Sequence, residues 1–307
     1  MPSTITHAYI GVDVLNKLNQ KPKNIIKKRI NNYKIYCQNM DVLYFYHIMF
    51  LKGNKIQNAG HRFHNENVYN CFSTLINDNR KNKDYELFTF IAGLITHYKA
   101  DSIMHPYIDY LAHNRKKILQ VNKHFEIETY IDNYYINKYQ TTKYKTYNNG
   151  KLIFNHSKEK IVEEEISKLF KIYFNLNDMG KIYYKALNEM SFVFRYIRHD
   201  IFGFKKILYS LIDVIPLNIR KTKYLSYHFD LNNDDYYLNL CHNPWFNYKD
   251  KTRKSTKSFP DLYTDVVSES SIIINNLYQY IFENKELDLF QLIGNNSYST
   301  GLPISPK

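Results

Sequence analysis

The stretch GLITHYKADSIMHPYIDY, residues 93–110, is largely apolar, yet it carries His97, Asp101 and His105 at intervals of four residues. Four residues are slightly more than one helical turn, so these three side chains would lie on the same side of a helix. Two explanations fit the spacing: a polar stripe on an amphipathic helix, or a set of metal ligands. Zinc accepts imidazole nitrogen and carboxylate oxygen, and two ligands one turn apart can reach one ion.

Two details of this stretch bear on the metal explanation. The carboxylate of Asp101 has two oxygens, so this residue could bridge two ions. Pro106 is expected to break the helix just after His105, because proline lacks the backbone N–H of a helix interior and its ring clashes with the preceding turn. His105 would then turn toward a different ion, while capping or surface polarity is the alternative for all three residues.

The rest of the sequence favours long helices. Segments with a helical apolar period are 6–18, 85–103, 124–139, 160–174, 188–215 and 265–284. Only 9 Gly and 8 Pro occur in 307 residues, whereas a turn-rich β protein usually needs more of them. The sequence therefore predicts an all-α fold.

The predicted domain organisation is simple. Residues 1–293 are expected to form a single multi-helix domain, with the metal motifs in residues 1–140. A short β-hairpin is predicted near 144–155, where Asn-Gly lies between aromatic and β-branched residues. Residues 226–262 indicate an ordered loop rich in Asn, Asp, Pro and aromatic residues. The end of the chain, residues 294–307, is predicted to be a flexible tail.

Composition limits the classes of binding partner and the cellular compartment that we expect for this protein. The net charge of +13 favours anionic partners such as phospholipid surfaces, phosphoesters or nucleic acid, although a lysine-rich surface alone would give the same charge. Three widely spaced cysteines predict neither a disulfide framework nor a zinc knuckle. The N-terminal sequence lacks a secretory signal, and no apolar run approaches the ~18–20 residues of a membrane span. The expected location is the cytoplasm, with peripheral contact to an anionic membrane.

A second pair with four-residue spacing follows the opening stretch. His124 and Glu128, in HFEIE, are one helical turn apart and would face the same side. Glu126 is the competing carboxylate, but it is two residues from His124 and points to a different face. Polar pairs with this spacing also occur on exposed helices, so the pair alone is weak evidence for a metal.

Three shorter signals precede the opening stretch. GHRFH offers His61 and His64 as ligands, with a polar loop as the alternative. Asp41 stands directly before an apolar run, where it is either a ligand or a helix N-cap. His7 lies in THAYIG, and a lone histidine is more often structural or exposed. The motifs GxSxG, GxxxxGK[ST] and GxGxxG do not occur, so the usual signals of hydrolase elbows, P-loops and dinucleotide sites are absent.

In order along the chain, THxxxG, an Asp, GHxxH, HxxxDxxxH and HxxxE resemble the motifs of the bacterial zinc-dependent phospholipase C family. The resemblance covers residues 1–140 and continues more loosely through LNLCHNPWFNY (238–248), which is similar to a signature of the intracellular branch. It implies an all-helical fold that holds zinc in a cleft, on a scaffold shared with zinc-dependent single-strand nucleases.

Carried over residue by residue, the resemblance implies a cofactor of two or three Zn²⁺ ions. The ligands of the first ion would be Asp41, His61, His97 and Asp101, with His61 preferred over His64. The ligands of the second would be His105, His124 and Glu128. The ligands of the third would be His7, a bridging Asp101 and the N-terminal residue, here Met1 where secreted members have Trp.

The resemblance also implies a function. A zinc-dependent phosphodiester hydrolase of the phospholipase C type would release diacylglycerol and a phosphorylated headgroup by metal-activated water, with Asp41 and Asp101 as catalytic carboxylates. The alternatives are a zinc nuclease or phosphomonoesterase on the same scaffold, or a zinc-stabilised helical protein that binds membrane or nucleic acid without turnover. The substrate is a phospholipid or another phosphoester, and no protein partner is inferred.

Overall fold

The computed structural model describes residues 4–48, 54–113, 117–139, 148, 150, 155–214, 222–228 and 234–304. Nearly all of the hairpin predicted over 144–155 lies outside these residues, as does Met1. The α-helices are α1 (Thr4–Lys17), α2 (Gln20–Lys27), α3 (Ile30–Tyr36), α4 (Asn54–Phe63), α5 (Val68–Asn82), α6 (Tyr85–Ala112), α7 (Lys117–Tyr139), α8 (Lys160–Phe174), α9 (Met179–Phe192), α10 (Phe204–Ile212), α11 (Asp234–Leu238), α12 (Phe259–Phe282) and α13 (Leu289–Ile293).

The remaining described elements are short. The 3₁₀-helices span Asn39–Phe45 and Thr222–Leu225, and a π-helical segment spans Val193–Arg198. The described strands are β1 (Trp245–Phe246) and β2 (Lys254–Ser255), an antiparallel pair in which Trp245 is opposite Ser255. Because helices dominate the described chain, the predicted all-α class is confirmed.

The long helix α6 lies at the centre of the fold. It begins after Asp84, whose side chain accepts a hydrogen bond of 2.8 Å from the backbone N–H of Leu87, a favourable N-cap. Buried residues then occur on all sides of α6, so it packs against α1, α3, α7 and α12. None of the described helices is both long enough and apolar enough to cross a membrane.

The helix α12, which packs along α6, has a strong N-terminal signal. Ser258 and Asp261 form a capping box: each side chain accepts a hydrogen bond from the backbone N–H of the other residue. Pro260 occupies the first turn, where the missing N–H costs nothing. These local interactions fix the start of the helix that covers one side of α6.

The helix break expected at Pro106 is wrong. Helix α6 continues through Pro106 to Ala112. Proline removes the helical partner of the Ser102 carbonyl, but Gly301 of the C-terminal segment packs directly against that oxygen and against the proline ring. Gly301 has a φ of +64° and no Cβ, and an added Cβ would lie 2.3 Å from the Ser102 oxygen. Only a glycine could lie this close to the turn of α6 that contains the proline.

The C-terminal segment over residues 294–304, within the predicted tail, packs against the rest of the fold. Tyr298 is only 1% exposed, and its backbone N–H donates a 3.1 Å hydrogen bond to the carbonyl of His64. Its hydroxyl accepts a hydrogen bond from the amide of Asn39 at 3.2 Å. The isolated bridge between Asn296 and Pro303 closes this segment into a turn. An aromatic ring in a polar stretch therefore anchors the end of the chain.

Candidate metal centre

Five elements bring the candidate ligands together. Helix α6 supplies three side chains from its buried middle, and α1, the first 3₁₀-helix, the end of α4 and α7 supply the others. These side chains are His97, Asp101 and His105 from α6, His7 from α1, Asp41 from the 3₁₀-helix, His64 after α4, and His124 and Glu128 from α7. Most of them are almost completely buried, which is unusual for charged and polar groups unless they are paired or bind an ion.

A glycine sets the distance between α6 and the chain that precedes the 3₁₀-helix. A Cβ at Gly93 would lie 2.4 Å from the Cβ of Tyr36 and 2.7 Å from its carbonyl carbon, so only glycine allows this approach. The next residue, Cys37, then offers its carbonyl oxygen 2.9 Å from Nδ1 of His97. Because a carbonyl only accepts, Nδ1 must donate, and Nε2 of a neutral His97 is left as the ligand atom.

The first ligand group contains His7, His97 and Asp101. The Nε2 of His7 lies 3.3 Å from Oδ1 of Asp101, and the Nε2 of His97 lies 3.1 Å from Oδ2. The two imidazole rings stack with centroids 4.4 Å apart. The carboxylate of Asp101 thus presents each of its oxygens to a different histidine.

The second ligand group contains Asp41, His64 and His97. The Nε2 of His64 lies 3.6 Å from Oδ1 of Asp41, and both side chains are buried. His61 lies three residues earlier on the exposed side of α4, outside this group. The structure therefore brings His64, and not the sequence-preferred His61, together with Asp41 and His97, because the helix turns His61 toward solvent.

The third ligand group contains His105, His124 and Glu128. The Nε2 of His124 lies 2.7 Å from Oε1 of Glu128. The Nε2 of His105 lies 3.9 Å from the same oxygen and 4.0 Å from Oδ1 of Asp101. His105 therefore stands between Asp101 and Glu128, and the three groups form one continuous centre.

Unsatisfied polar atoms show that the centre fits a metal. Among the described residues, these buried side-chain atoms have no hydrogen-bond partner: Nδ1 of His7, Nε2 of His64, Nε2 of His97, Oδ1 of Asp101 and Nε2 of His105. A buried polar atom left in this way costs about 1–3 kcal/mol. Imidazole nitrogen and carboxylate oxygen form the donor set that zinc prefers, so metal binding accounts for the unpartnered atoms of His64, His97, Asp101 and His105.

The pKa shifts in the centre indicate that its buried carboxylates require positive charge nearby in order to ionise. Burial raises the pKa of Asp41 to about 7. Burial also opposes ionisation of Asp101, but His97 and His105 outweigh it and hold the pKa of that carboxyl well below its usual range. Burial and the neighbouring His97 lower the pKa of His7 to about 4, which keeps this imidazole neutral and able to donate a lone pair. Metal cations would supply the charge that the ionised carboxylates require.

Asp109 is a candidate site residue that the sequence analysis did not identify. Oδ1 of Asp109 lies 3.3 Å from Nδ1 of His124 and fixes the ring whose Nε2 faces Glu128. Burial disfavours a protonated His124, but the carboxylates of Glu128 and Asp109 outweigh it and raise its pKa to about 9. Carboxylates that orient ligating histidines in this way are common in zinc sites. The sequence contained a signal for this residue, because Asp109 continues the four-residue series of His97, Asp101 and His105.

The described chain combines a helical fold with three groups of buried imidazole and carboxylate side chains that could hold metal ions. The sequence model of one family, zinc dependent phospholipase C, matches residues 6–180, which is more than half of the chain. The chain therefore belongs to the zinc dependent phospholipase C family, and the predicted resemblance is confirmed. The matched region contains all eight residues of the three ligand groups. No curated protein and no solved structure matched in the corresponding searches.

Proposed function

We propose that this chain is a phosphodiesterase of the phospholipase C type, which cleaves a phospholipid into diacylglycerol and a phosphorylated headgroup. The observation that carries the proposal is the continuity of the three ligand groups through Asp101 and His105. Many hydrolases that act on phosphate esters use adjacent metal sites to contact both the attacking and the leaving oxygen. A single structural zinc site would not need three groups in contact.

Each ligand group has a proposed role in holding an ion. The second ligand group, Asp41, His64 and His97, would hold one ion. The third ligand group, His105, His124 and Glu128, would hold another. His7 would hold a third together with Asp101, whose second oxygen faces His97. This assignment gives two or three ions per chain, with Asp101 as the shared carboxylate.

The chemistry of the site depends on these residues in distinct ways. Zinc bound here would supply Lewis-acid activation of water and of a phosphoryl oxygen. Asp41 is the proposed acceptor for the proton that the attacking water loses, since its buried carboxylate lies beside His64 rather than beside a lysine or arginine among the described residues. Asp101 holds His7 and His97 in fixed orientations, and the net charge of +13 favours an anionic phosphate ester.

A substrate panel tests the proposal. Zinc-loaded protein would be given phosphatidylcholine, single-stranded DNA and a generic phosphomonoester, with the same protein after chelation as the control. The proposal expects diacylglycerol from the lipid, and little turnover of the other two substrates. Cleavage of DNA or of the phosphomonoester with no lipid hydrolysis would replace it with a nuclease or phosphomonoesterase. Zinc binding without turnover of any substrate would indicate a non-catalytic zinc protein.

A further inference from the structure

Helix α10 presents its apolar side to solvent. Phe204, Ile207, Leu208 and Leu211 follow the i, i+3, i+4, i+7 spacing that places side chains on one helical face. Their exposed fractions are 71%, 60%, 54% and 63%. An ordinary surface helix packs such an apolar stripe against the core, whereas α10 turns its apolar stripe toward solvent. We call these four residues the outward apolar face.

Exposed apolar side chains continue beyond both ends of this helix. Phe202 is 76% exposed just before it and Val214 is 77% exposed just after it. The rings of Phe202 and Phe204 are 6.0 Å apart, so the patch is contiguous at that end. A contiguous exposed apolar patch on a protein usually marks a surface that binds a partner or a membrane.

Polar anchors hold the inward side of α10. The amine of Lys205 donates to the carbonyls of Tyr196 and His199, each at 2.6 Å. The hydroxyl of Tyr209, one turn later on the same side, donates to the carbonyl of Ile197 at 3.1 Å. Because these side chains face the protein, the opposite side of the helix must face outward.

Carboxylates also fix both ends of α10. Asp200 accepts hydrogen bonds from the backbone N–H of Lys205 at 3.3 Å and of Lys206 at 2.9 Å. Asp213 accepts from the backbone N–H of Thr222 at 2.6 Å and of Lys223 at 3.0 Å. Hydrogen bonds at each end therefore fix the orientation of the helix. The same hydrogen bonds keep the outward apolar face exposed.

The patch is attached to the helix that carries two candidate metal ligands. Just before α10, the guanidinium of Arg198 donates to Oγ1 of Thr129 at 3.1 Å and to the carbonyl of Leu225 at 3.3 Å. Thr129 follows Glu128 on α7. The second 3₁₀-helix also contacts α7, since the Tyr224 hydroxyl donates to Oε2 of Glu126 at 2.7 Å. A surface bound to the outward apolar face would thus lie close to segments that contact α7, the helix that carries His124 and Glu128 of the third ligand group.

We propose that the outward apolar face inserts into the surface of an anionic phospholipid bilayer and docks the metal centre there. This inference rests on the proposed function and names the physical form of its substrate. The choice of a bilayer follows from charge complementarity, because the net charge is +13, Lys206 lies on α10, and Lys223 lies on the second 3₁₀-helix, which packs against α10. Short helices with an apolar face and basic flanks bind the headgroup boundary of anionic membranes.

Vesicle binding tests the proposal. Zinc-loaded protein would be sedimented with vesicles of phosphatidylcholine and phosphatidylserine before appreciable hydrolysis, and compared with the equally loaded variant Phe204→Ser/Ile207→Ser/Leu211→Ser. The matched control is Ile172→Ser/Ile272→Ser/Phe290→Ser, which removes three similarly exposed apolar side chains elsewhere. The patch variant should lose at least about tenfold in vesicle affinity, while the control keeps wild-type affinity. Equal vesicle affinity of the two variants would overturn the proposal.

Two further measurements separate this proposal from its rivals. Hydrolysis of a water-soluble short-chain phosphatidylcholine should be unchanged in the patch variant, whereas hydrolysis of vesicle lipid should fall with the vesicle affinity. If the wild type binds vesicles through the patch but hydrolyses neither lipid, the proposed function fails while the docking surface stands. If light scattering shows a dimer that the patch variant dissociates, a second copy of the chain covers this face and bilayer docking is overturned.

Discussion

The ring of Tyr298 stacks on the imidazole of His64, with centroids 4.6 Å apart and planes 28° from parallel. The backbone N–H of the same tyrosine donates to the carbonyl of His64. The last described segment of the chain therefore holds a candidate ligand whose own helix, α4, ends at the preceding residue. A ligand at a helix end needs such support to keep its ring directed toward Asp41.

Removing the ring of Tyr298 should loosen His64. We expect Tyr298→Ala to cost about 3–5 kcal/mol of unfolding free energy, because it empties a buried aromatic site, and to weaken zinc binding. Tyr298→Phe keeps the stacked ring but leaves the buried Asn39 amide without its acceptor, which should cost about 1–3 kcal/mol. Denaturant unfolding and zinc titration measure the two effects. If Tyr298→Phe weakened zinc binding as much as Tyr298→Ala, stacking would not be the means of support.

The two histidines of GHRFH form a matched pair for testing the ligand assignment. His64→Ala should lower the zinc content and the phosphodiesterase activity, since His64 lies 3.6 Å from Asp41 in the buried centre. His61→Ala should leave both close to wild type, because that side chain is exposed. Zinc content by elemental analysis and diacylglycerol release distinguish them. The reverse result would restore the assignment made from sequence alone.

Gly93 is predicted to be needed for the position of His97. An added methyl group in Gly93→Ala would overlap the Tyr36 backbone and separate α6 from Cys37, at a cost of about 1–3 kcal/mol. The control is Gly60→Ala, another helix glycine, where the nearest atom would be the Met40 oxygen at 3.1 Å. Thermal unfolding should therefore show a larger loss for Gly93→Ala. A loss no greater than that of Gly60→Ala would mean that the contact relaxes easily.

Asp109 is predicted to act through His124. Asp109→Asn should lower the zinc affinity by about 10–100-fold, the usual effect of removing a carboxylate that orients a ligating histidine. Glu126→Gln is the control on the neighbouring helix, because Glu126 contacts Lys123, Tyr224 and Tyr237 instead of the ligands. Competition with a chromophoric chelator measures both affinities. Equal zinc affinities for the two variants would argue against a positioning role for Asp109.

The sequence predicted the features of the fold and of the candidate site that depend on the spacing of residues within one helix. Four-residue intervals identified His97, Asp101 and His105 on one helix, and the scarcity of glycine and proline indicated the all-α class. Both are properties of neighbouring residues along the chain, and the helices that carry them have a strong apolar period. The candidate ligand pair His124 and Glu128 was identified for the same reason, because its members are four residues apart.

The missed features depend on contacts between distant segments. Pro106 alone predicts a helix break, whereas α6 continues to Ala112 with Gly301 packed against the Ser102 oxygen and the Pro106 ring. Tyr298 lies in a polar stretch that resembles a tail, and its burial requires the cavity beside His64. The choice of His64 over His61 depends on how α4 turns against the 3₁₀-helix. None of these contacts leaves a periodic signal in the sequence.

Zinc content measures the central claim most directly, which is that Asp101 is the shared carboxylate of a centre of more than one ion. Elemental analysis of purified wild-type protein should find two or three zinc ions per chain. Asp101→Asn, which keeps the shape of the side chain but removes its charge, should bind fewer zinc ions while circular dichroism shows the same helical content. Wild-type protein without zinc, or an Asp101→Asn variant with the full wild-type complement, would contradict the account.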